Sequence, residues 1–432
     1  MSENQSKGNV FAIATMFALF FMIAFVTNFA SPMGVIAKNQ FQASNALSQL
    51  GNAANFIAYL FMGIPGGLIL KRKGYKFTAL AAIAVGFAGV GVQLISGYVS
   101  SFAVYVLGAF IAGFSMCMLN LVVNPMLNTL GGGGNKGNQL VQFGCSLNSV
   151  GATLSPAVLG WLIGEITKDT AFIKAAPALM IAMGIFALAF LIVAFSKIPE
   201  PHMETAEEKA ARLSGQTSIM KDIAATLKFR HFTLGALAIF FYIVIEVGVP
   251  SMGMLYMTDC VKDAAGEITS KGPGYVGGTV AGVVCGAYWF LMMCGRLLGG
   301  VVGGNISSRV QVSFLASLGI ALLIAVMFVP VKMITLFGYQ FPLSMAFMVA
   351  VGLCTSVMWG GIFNMAAEGL GKYVPMGSGI FMCMVFGGIL IPVQGLIADK
   401  IGILSSYWLS IGLLAYVLFY ALIGSRVAKT QQ

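Results

Sequence analysis

The sequence predicts an all-α integral membrane protein with 12 transmembrane helices in two pseudo-symmetric six-helix bundles. Three observations carry this prediction. Hydrophobic residues make up 58% of the 432 residues and charged residues 9%, against about 25% charged in soluble domains. That apolar share is enough for about twelve helices of ~20 residues each. Charged residues divide the chain into long uncharged runs, with one extended charged stretch near its middle. The runs before and after that stretch echo each other. Composition therefore argues against a soluble enzyme, a disordered chain and a free nucleic-acid binder. The net charge of +10 fits basic loops facing anionic lipid at the cytoplasmic surface.

The spans follow in order. The first uncharged run goes from Gly8 to Ala37 behind a polar start, with no A-x-A cleavage pattern, and reads as a retained helix. A second span ends at Leu70. The run Phe77–Asn135 is too long for one crossing and divides at the turn signal Ser96–Ser101. Spans over Gln139–Ile163 and Ala175–Phe195 complete six. The charged stretch Lys197–Arg230 follows as a linker, in which Ile219, Ile223 and Leu227 suggest an amphipathic helix lying on the membrane. Six further spans are Phe232–Thr258, Val276–Gly300, Val310–Val329, Pro342–Met365, Ser378–Ala398 and Leu404–Ile423. The units are thus 1–196, 197–230 and 231–432.

With both termini inside, inside segments hold sixteen of the 24 Lys and Arg and outside loops hold seven. That bias predicts cytoplasmic termini in a plasma membrane or bacterial inner membrane. The seven Cys form no CxxC pair and read as small buried hydrophobes, with no zinc site or disulfide framework. Both His residues, His202 and His231, fall at the linker, so no Ser–His pair forms at depth. No metal-ligand cluster or carboxylate dyad appears. The expectation is a protein that is not an enzyme and needs no cofactor.

The halves repeat. Phe20-Phe21 with Pro32 matches Phe240-Phe241 with Pro250, and Gly66-Gly67 matches Gly299-Gly300. Asn124 with Leu130-Gly131 matches Asn364 with Leu370-Gly371, and Pro156 with Gly160 matches Pro392 with Gly395. Paired repeats with helix interruptions imply a secondary transporter with a midplane site between the halves. Pro32, Pro156, Pro250 and Pro392 are the expected interruptions.

Several side chains suit such a site. Glu246 falls near the middle of its span, where an ionised group costs roughly 2.5–3.5 kcal/mol. A carboxyl there favours its neutral form, so loading a proton would change the cost of reorienting a carrier. A structural hydrogen bond is the competing reading. Arg296, one turn from its span's cytoplasmic end, can snorkel and reads as a packing or gating element. Asn28, Asn52, Asn55, Asn120, Asn124, Gln142, Asn148, Asn364 and Gln394 are amides at depth. They match a polyol's hydroxyls as donors and acceptors, or serve as glue between helices. Trp289 and Trp359 offer flat faces for stacking, or for core packing. The Gly131–Asn135 loop follows no strand and lacks a Gly-Lys-Ser/Thr ending, so it reads as a gate loop and not a phosphate cradle.

In this order the motifs resemble the major facilitator superfamily, and within it the fucose and glucose/galactose permeases, a family of sugar:cation symporters. The resemblance spans nearly the whole chain. It rests on Ile64-Pro65-Gly66-Gly67, Lys71–Lys76, Asn124-Pro125, Thr129-Leu130-Gly131 and Asn148-Ser149-Val150-Gly151 in the first half. In the second it rests on Tyr242 with Glu246-Val247, Tyr288-Trp289 with Gly295-Arg296, Glu368–Lys372, Gly377-Ser378-Gly379, Gly387-Gly388, Pro392, Gly395 and Asp399. It departs at Ser31 and Asn120, where fucose permeases place carboxylates. The loop from Gly131 lacks the family's Arg, and Trp359-Gly360-Gly361 replaces an aromatic-Pro-Thr.

The resemblance implies a major facilitator fold and a monomer that imports a hexose or related sugar through alternating access. It implies H⁺ as coupling ion, with Na⁺ coupling and an uncoupled carrier as alternatives. The expected roles are proton coupling or sugar binding for Glu246, and substrate contact for Asn28, Asn55, Asn120, Asn124, Gln142, Asn148, Tyr288, Trp289, Trp359 and Asn364. The partners are the sugar and membrane lipid, with no nucleic acid. A carrier of another solute, such as a drug exporter, and a membrane receptor remain open.

Overall fold

The protein, here a computed structural model, is described at residues 3–27, 50–163, 175–213, 219–262 and 268–427. The first half contains α1 (Glu3–Thr27), α2 (Leu50–Val99), α3 (Phe102–Leu130), α4 (Gly134–Ile163) and α5 (Ala176–Phe195). The linker holds α6 (Ala206–Leu213) and α7 (Ile219–Leu227). The second half holds α8 (Arg230–Thr258), α9 (Gly278–Val302), α10 (Ser308–Phe328), α11 (Leu343–Thr355), α12 (Met358–Ala367), α13 (Val374–Cys383), α14 (Ile391–Ile401) and α15 (Tyr407–Phe419). Two antiparallel hairpins lie between helices: β1 (Cys260–Lys262) with β2 (Ile268–Lys271), and β3 (Met333–Leu336) with β4 (Tyr339–Pro342). They mark one end of the bundles, the hairpin end; the linker marks the other.

Nine helices among the described residues are long and apolar enough to cross a membrane. One of these, α2, is two spans folded back at Gly74, whose φ of 84° is open to glycine. With the apolar part of α1, Val10–Val26, and with α4, the twelve-span plan is complete. α4 falls below the others in apolarity because one side carries Asn138, Gln139, Gln142, Ser146 and Ser149. That polar side faces the second half. The turn signal at Ser96–Ser101 holds: Ser100 has φ 48° and the Ser101 side chain caps α3 by accepting from Val104 N.

The linker clasps the fold-back of α2. The Glu200 carboxylate accepts from the backbone N–H groups of Tyr75 and Lys76, Lys71 pairs with Asp222 at 2.8 Å, and Tyr75 Oη meets His202 Nδ1 at 2.7 Å. The α7 helix forms where the fourfold apolar spacing predicts it, but it does not lie wholly on lipid. Ile223 packs on the core of the second half, while Ile219 and Leu227 stay exposed.

Each half has its own hydrophobic core, and Tyr59, Met62 and Trp359 pack against both. Cys117, Cys145, Cys285, Cys354 and Cys383 are buried and unbridged. The proline expectation needs correction. α8 runs unbroken through Pro250 and α4 is helical through Pro156, since a proline inside a helix removes one hydrogen bond without ending it when other groups take over. Pro392 does mark a change, at the start of α14 after a tightly wound segment, Met384–Leu390. Pro32 lies outside the described residues. A break the prolines do not signal separates α11 from α12 at Ser356-Val357.

Candidate functional site at the bundle interface

The centre of the site is a buried ion pair. Arg296 on α9 donates Nη2 to Glu246 Oε1 on α8 at 2.9 Å, with side chains 10% and 13% exposed. Its Nη1 crosses to the first half and donates to Ser149 Oγ at 2.6 Å and to the Cys145 carbonyl at 3.4 Å. Tyr242, four residues before Glu246 on one helix face, donates to the same carboxylate oxygen at 2.8 Å. One guanidinium thus joins the mid-span carboxyl to both bundles.

This corrects two expectations. Glu246 is not an isolated carboxyl in an apolar span, because a cation and a phenol compensate it. Arg296 does not snorkel toward the near helix end. Side chains tilt toward a helix N-terminus, which for α9 is the hairpin end, so Arg296 points inward to mid-depth and is only 8% exposed.

Pro250 shapes the same region. It has no N–H to give to the carbonyl of Glu246, four residues earlier. Tyr288 Oη donates to that carbonyl at 3.2 Å and also meets Thr355 Oγ1 at 3.1 Å. Tyr288 is fully buried, so its place is positional support for the Glu246 segment. Trp289 stands edge-on to Tyr288 and is 40% exposed. It lies seven residues before Arg296, hence on the same helical face.

The predicted amides divide. Asn120 donates to Tyr59 Oη at 3.0 Å and Asn124 to the Asn120 side chain at 3.3 Å. Trp359 Nε1 donates to Asn124 Oδ1 at 3.1 Å, linking the halves, while its ring packs edge-on against Phe381. Gln142 donates to the Val357 carbonyl at 2.9 Å, at the break between α11 and α12. Asn55 is buried beside Gly113. Asn148 instead binds the Phe20 carbonyl and Gln394 binds Ser410, each within one half. Asn364 is not at depth: it sits three residues from the end of α12. There it accepts from Asn128 Nδ2 at 2.6 Å and donates to Ser308 Oγ. With Gly133, Gly134, Arg309 and Glu368 it lines a cleft of about 350 Å³ at the linker end. The glycine loop thus lies at the seam between halves. Asn28 lies outside the described residues, as does the Asn52 side chain.

Sequence reasoning missed Ser149, Cys145, Thr355 and Asn128 as partners. Tyr242 carried a signal, its spacing of four from Glu246. The polar contacts described between halves run from mid-depth to the linker end. There α2 and α13 touch backbone to backbone: a Cβ on Gly379 would lie 2.6 Å from the Gly63 carbonyl oxygen.

Two six-helix bundles meeting at a buried ion pair and a polar seam define a membrane carrier. The profile of the Major Facilitator Superfamily matches residues 15–368, and the chain belongs to that superfamily. It is 28% identical over 98% of its length to a glucose/galactose transporter of Brucella abortus, covering 97% of that protein. It is 23% identical to the L-fucose-proton symporter of Escherichia coli, over 92% of this chain and 89% of that one. The crystal structure of an E. coli fucose:proton symporter variant superposes with a TM-score of 0.81 at 17% identity, covering 97% of this chain and all of that one.

Proposed function

We propose that this protein imports a hexose or related sugar by H⁺ symport, through alternating access of its two bundles. The observation that carries the reading is the Glu246–Arg296 pair, whose guanidinium also holds Ser149 and Cys145 of the opposite half. A proton on Glu246 removes its charge and loosens that link. The bonds of Arg296 to the first half then change in weight, so proton loading acts on the bundle interface itself. The full-length likeness to proteins named glucose/galactose transporter and L-fucose-proton symporter supports a sugar substrate.

Asn120, at the position where the family places a carboxylate, donates to Tyr59 and Met116 and carries no titratable group. The coupling duty therefore falls on Glu246. Asn120, Asn124, Gln142, Trp289 and Trp359 are the candidates for sugar contact. The protein works as a monomer in the bacterial inner membrane, with lipid around it, both termini cytoplasmic and no cofactor. The linker end is then cytoplasmic, and its contacts close that side. Uptake of radiolabelled hexoses into proteoliposomes, with pH and sodium gradients imposed separately, tests the reading. Accumulation driven by an inward proton gradient is expected. Accumulation driven by sodium alone would move the coupling ion, and no hexose uptake under any gradient would reject the sugar assignment.

A further inference from the structure

The β3–β4 hairpin is apolar beyond what its packing uses. Its cross-strand partners are Met333 with Pro342, Ile334 with Phe341, Thr335 with Gln340 and Leu336 with Tyr339. Ile334 and Phe341 rest on the core of the second half. Side chains alternate across a strand, so Leu336 and Tyr339 continue that resting face, and Thr335 and Gln340 take the other. Yet Leu336 is 50% exposed and Tyr339 40%. The hairpin overhangs the bundle with its apolar face uncovered.

The tip is stranger still. Phe337 has φ 51° and Gly338 φ 81°, two successive positive values that mark a type I′ turn. Its first central position favours Asn, Asp or Gly, because a Cβ crowds the backbone in the left-handed region. Here it holds a phenylalanine that is 91% exposed. A strained aromatic covered by none of its own protein needs another reason to be there.

We infer that the overhanging face, with Phe337 at its tip, inserts into the headgroup–acyl boundary of the membrane at the hairpin end and anchors α10 and α11 there. The resting face looks down onto helix ends, which is the direction of the membrane; past the bundle edge the same face meets lipid. An exposed aromatic pair marks that level nearby: Phe328 at the end of α10 packs edge-on against Trp408 near the start of α15, with centroids 6.4 Å apart. Aromatic side chains gather at this depth of a bilayer. The strands carry no charge, and Lys332 stands at their root, with a side chain long enough to place its ammonium among headgroups. Thr335 and Gln340 face water. This inference stands apart from the sugar reading.

The test is Trp fluorescence of full-length protein in lipid nanodiscs, read as the emission added by Phe337→Trp over the native four-Trp background. Phospholipids brominated at upper acyl carbons should quench most of the added emission, and aqueous iodide little of it. Leu336→Trp should behave alike, and Gln340→Trp, on the other face, the reverse. Iodide quenching of Phe337→Trp without bromolipid quenching would overturn the inference. So would quenching by neither, which would mean that protein covers the tip.

Discussion

Replacing Arg296 with methionine strands the Glu246 carboxylate at mid-depth. Both side chains of the pair are at most 13% exposed, so solvent screens the interaction little. Removing one member of such a pair costs about 3–5 kcal/mol, because the remaining charge is left without a partner. Replacing both, in Arg296→Met with Glu246→Gln, leaves no charge and should recover most of that loss. The expected coupling between the two sites is therefore about 2 kcal/mol or more. For a chain of this size the single variant should unfold on the order of 5 °C lower. Buried Cys117, Cys145, Cys285, Cys354 and Cys383 provide the readout, since a fluorogenic maleimide reacts with them only as the protein unfolds. Equal losses in the single and double variants would refute the idea that the two charges depend on each other.

Tyr288→Phe should cost about 1 kcal/mol by leaving the Glu246 carbonyl without a donor. The cost should shrink in a Pro250→Ala background, where the new N–H takes that role; the same thermal assay checks it. Asn128→Cys with Asn364→Cys should be bridged by a short, reducible bis-methanethiosulfonate and stop sugar uptake, with recovery on reduction, because those side chains meet across the seam, amide to amide, at 2.6 Å. Free uptake in the cross-linked carrier would contradict a closing seam there. Burial holds His202 below its usual value of 6.5, so the folded linker prefers the neutral ring. That preference stabilises the clasp at higher pH and is lost as pH falls below about 6.5. Amide protection at residues 71–78, taken against the intrinsic exchange rate at each pH, should be lower at pH 5.5 than at pH 7.5, and His202→Gln should flatten the difference.

The fold was legible because span length and charge spacing are properties of the chain alone. Uncharged runs such as Ala175–Phe195 reappear as helices nearly residue for residue. The ion pair was not, because Glu246 and Arg296 sit on different helices and their meeting depends on how those helices are rotated. The tilt of side chains toward a helix N-terminus held the missing hint for Arg296. The role of Pro250 was hidden for a related reason: its effect depends on Tyr288, a residue on a neighbouring helix. The β3–β4 hairpin escaped notice because its turn uses Phe337-Gly338 in place of the Asn-Gly or Asp-Gly pair that signals such turns. Among the amides, Asn124 and Asn148 look alike in sequence, yet one joins the halves and the other ties α4 to α1. Burial and direction separated them.

On the proposed mechanism Glu246 carries the transported proton. Sugar-induced proton uptake, followed with a pH-sensitive dye in lightly buffered proteoliposomes, measures it directly. The native carrier should take up protons when its sugar is added, whereas Glu246→Gln should still exchange labelled sugar between compartments without moving protons. Undiminished proton uptake in Glu246→Gln would contradict the account.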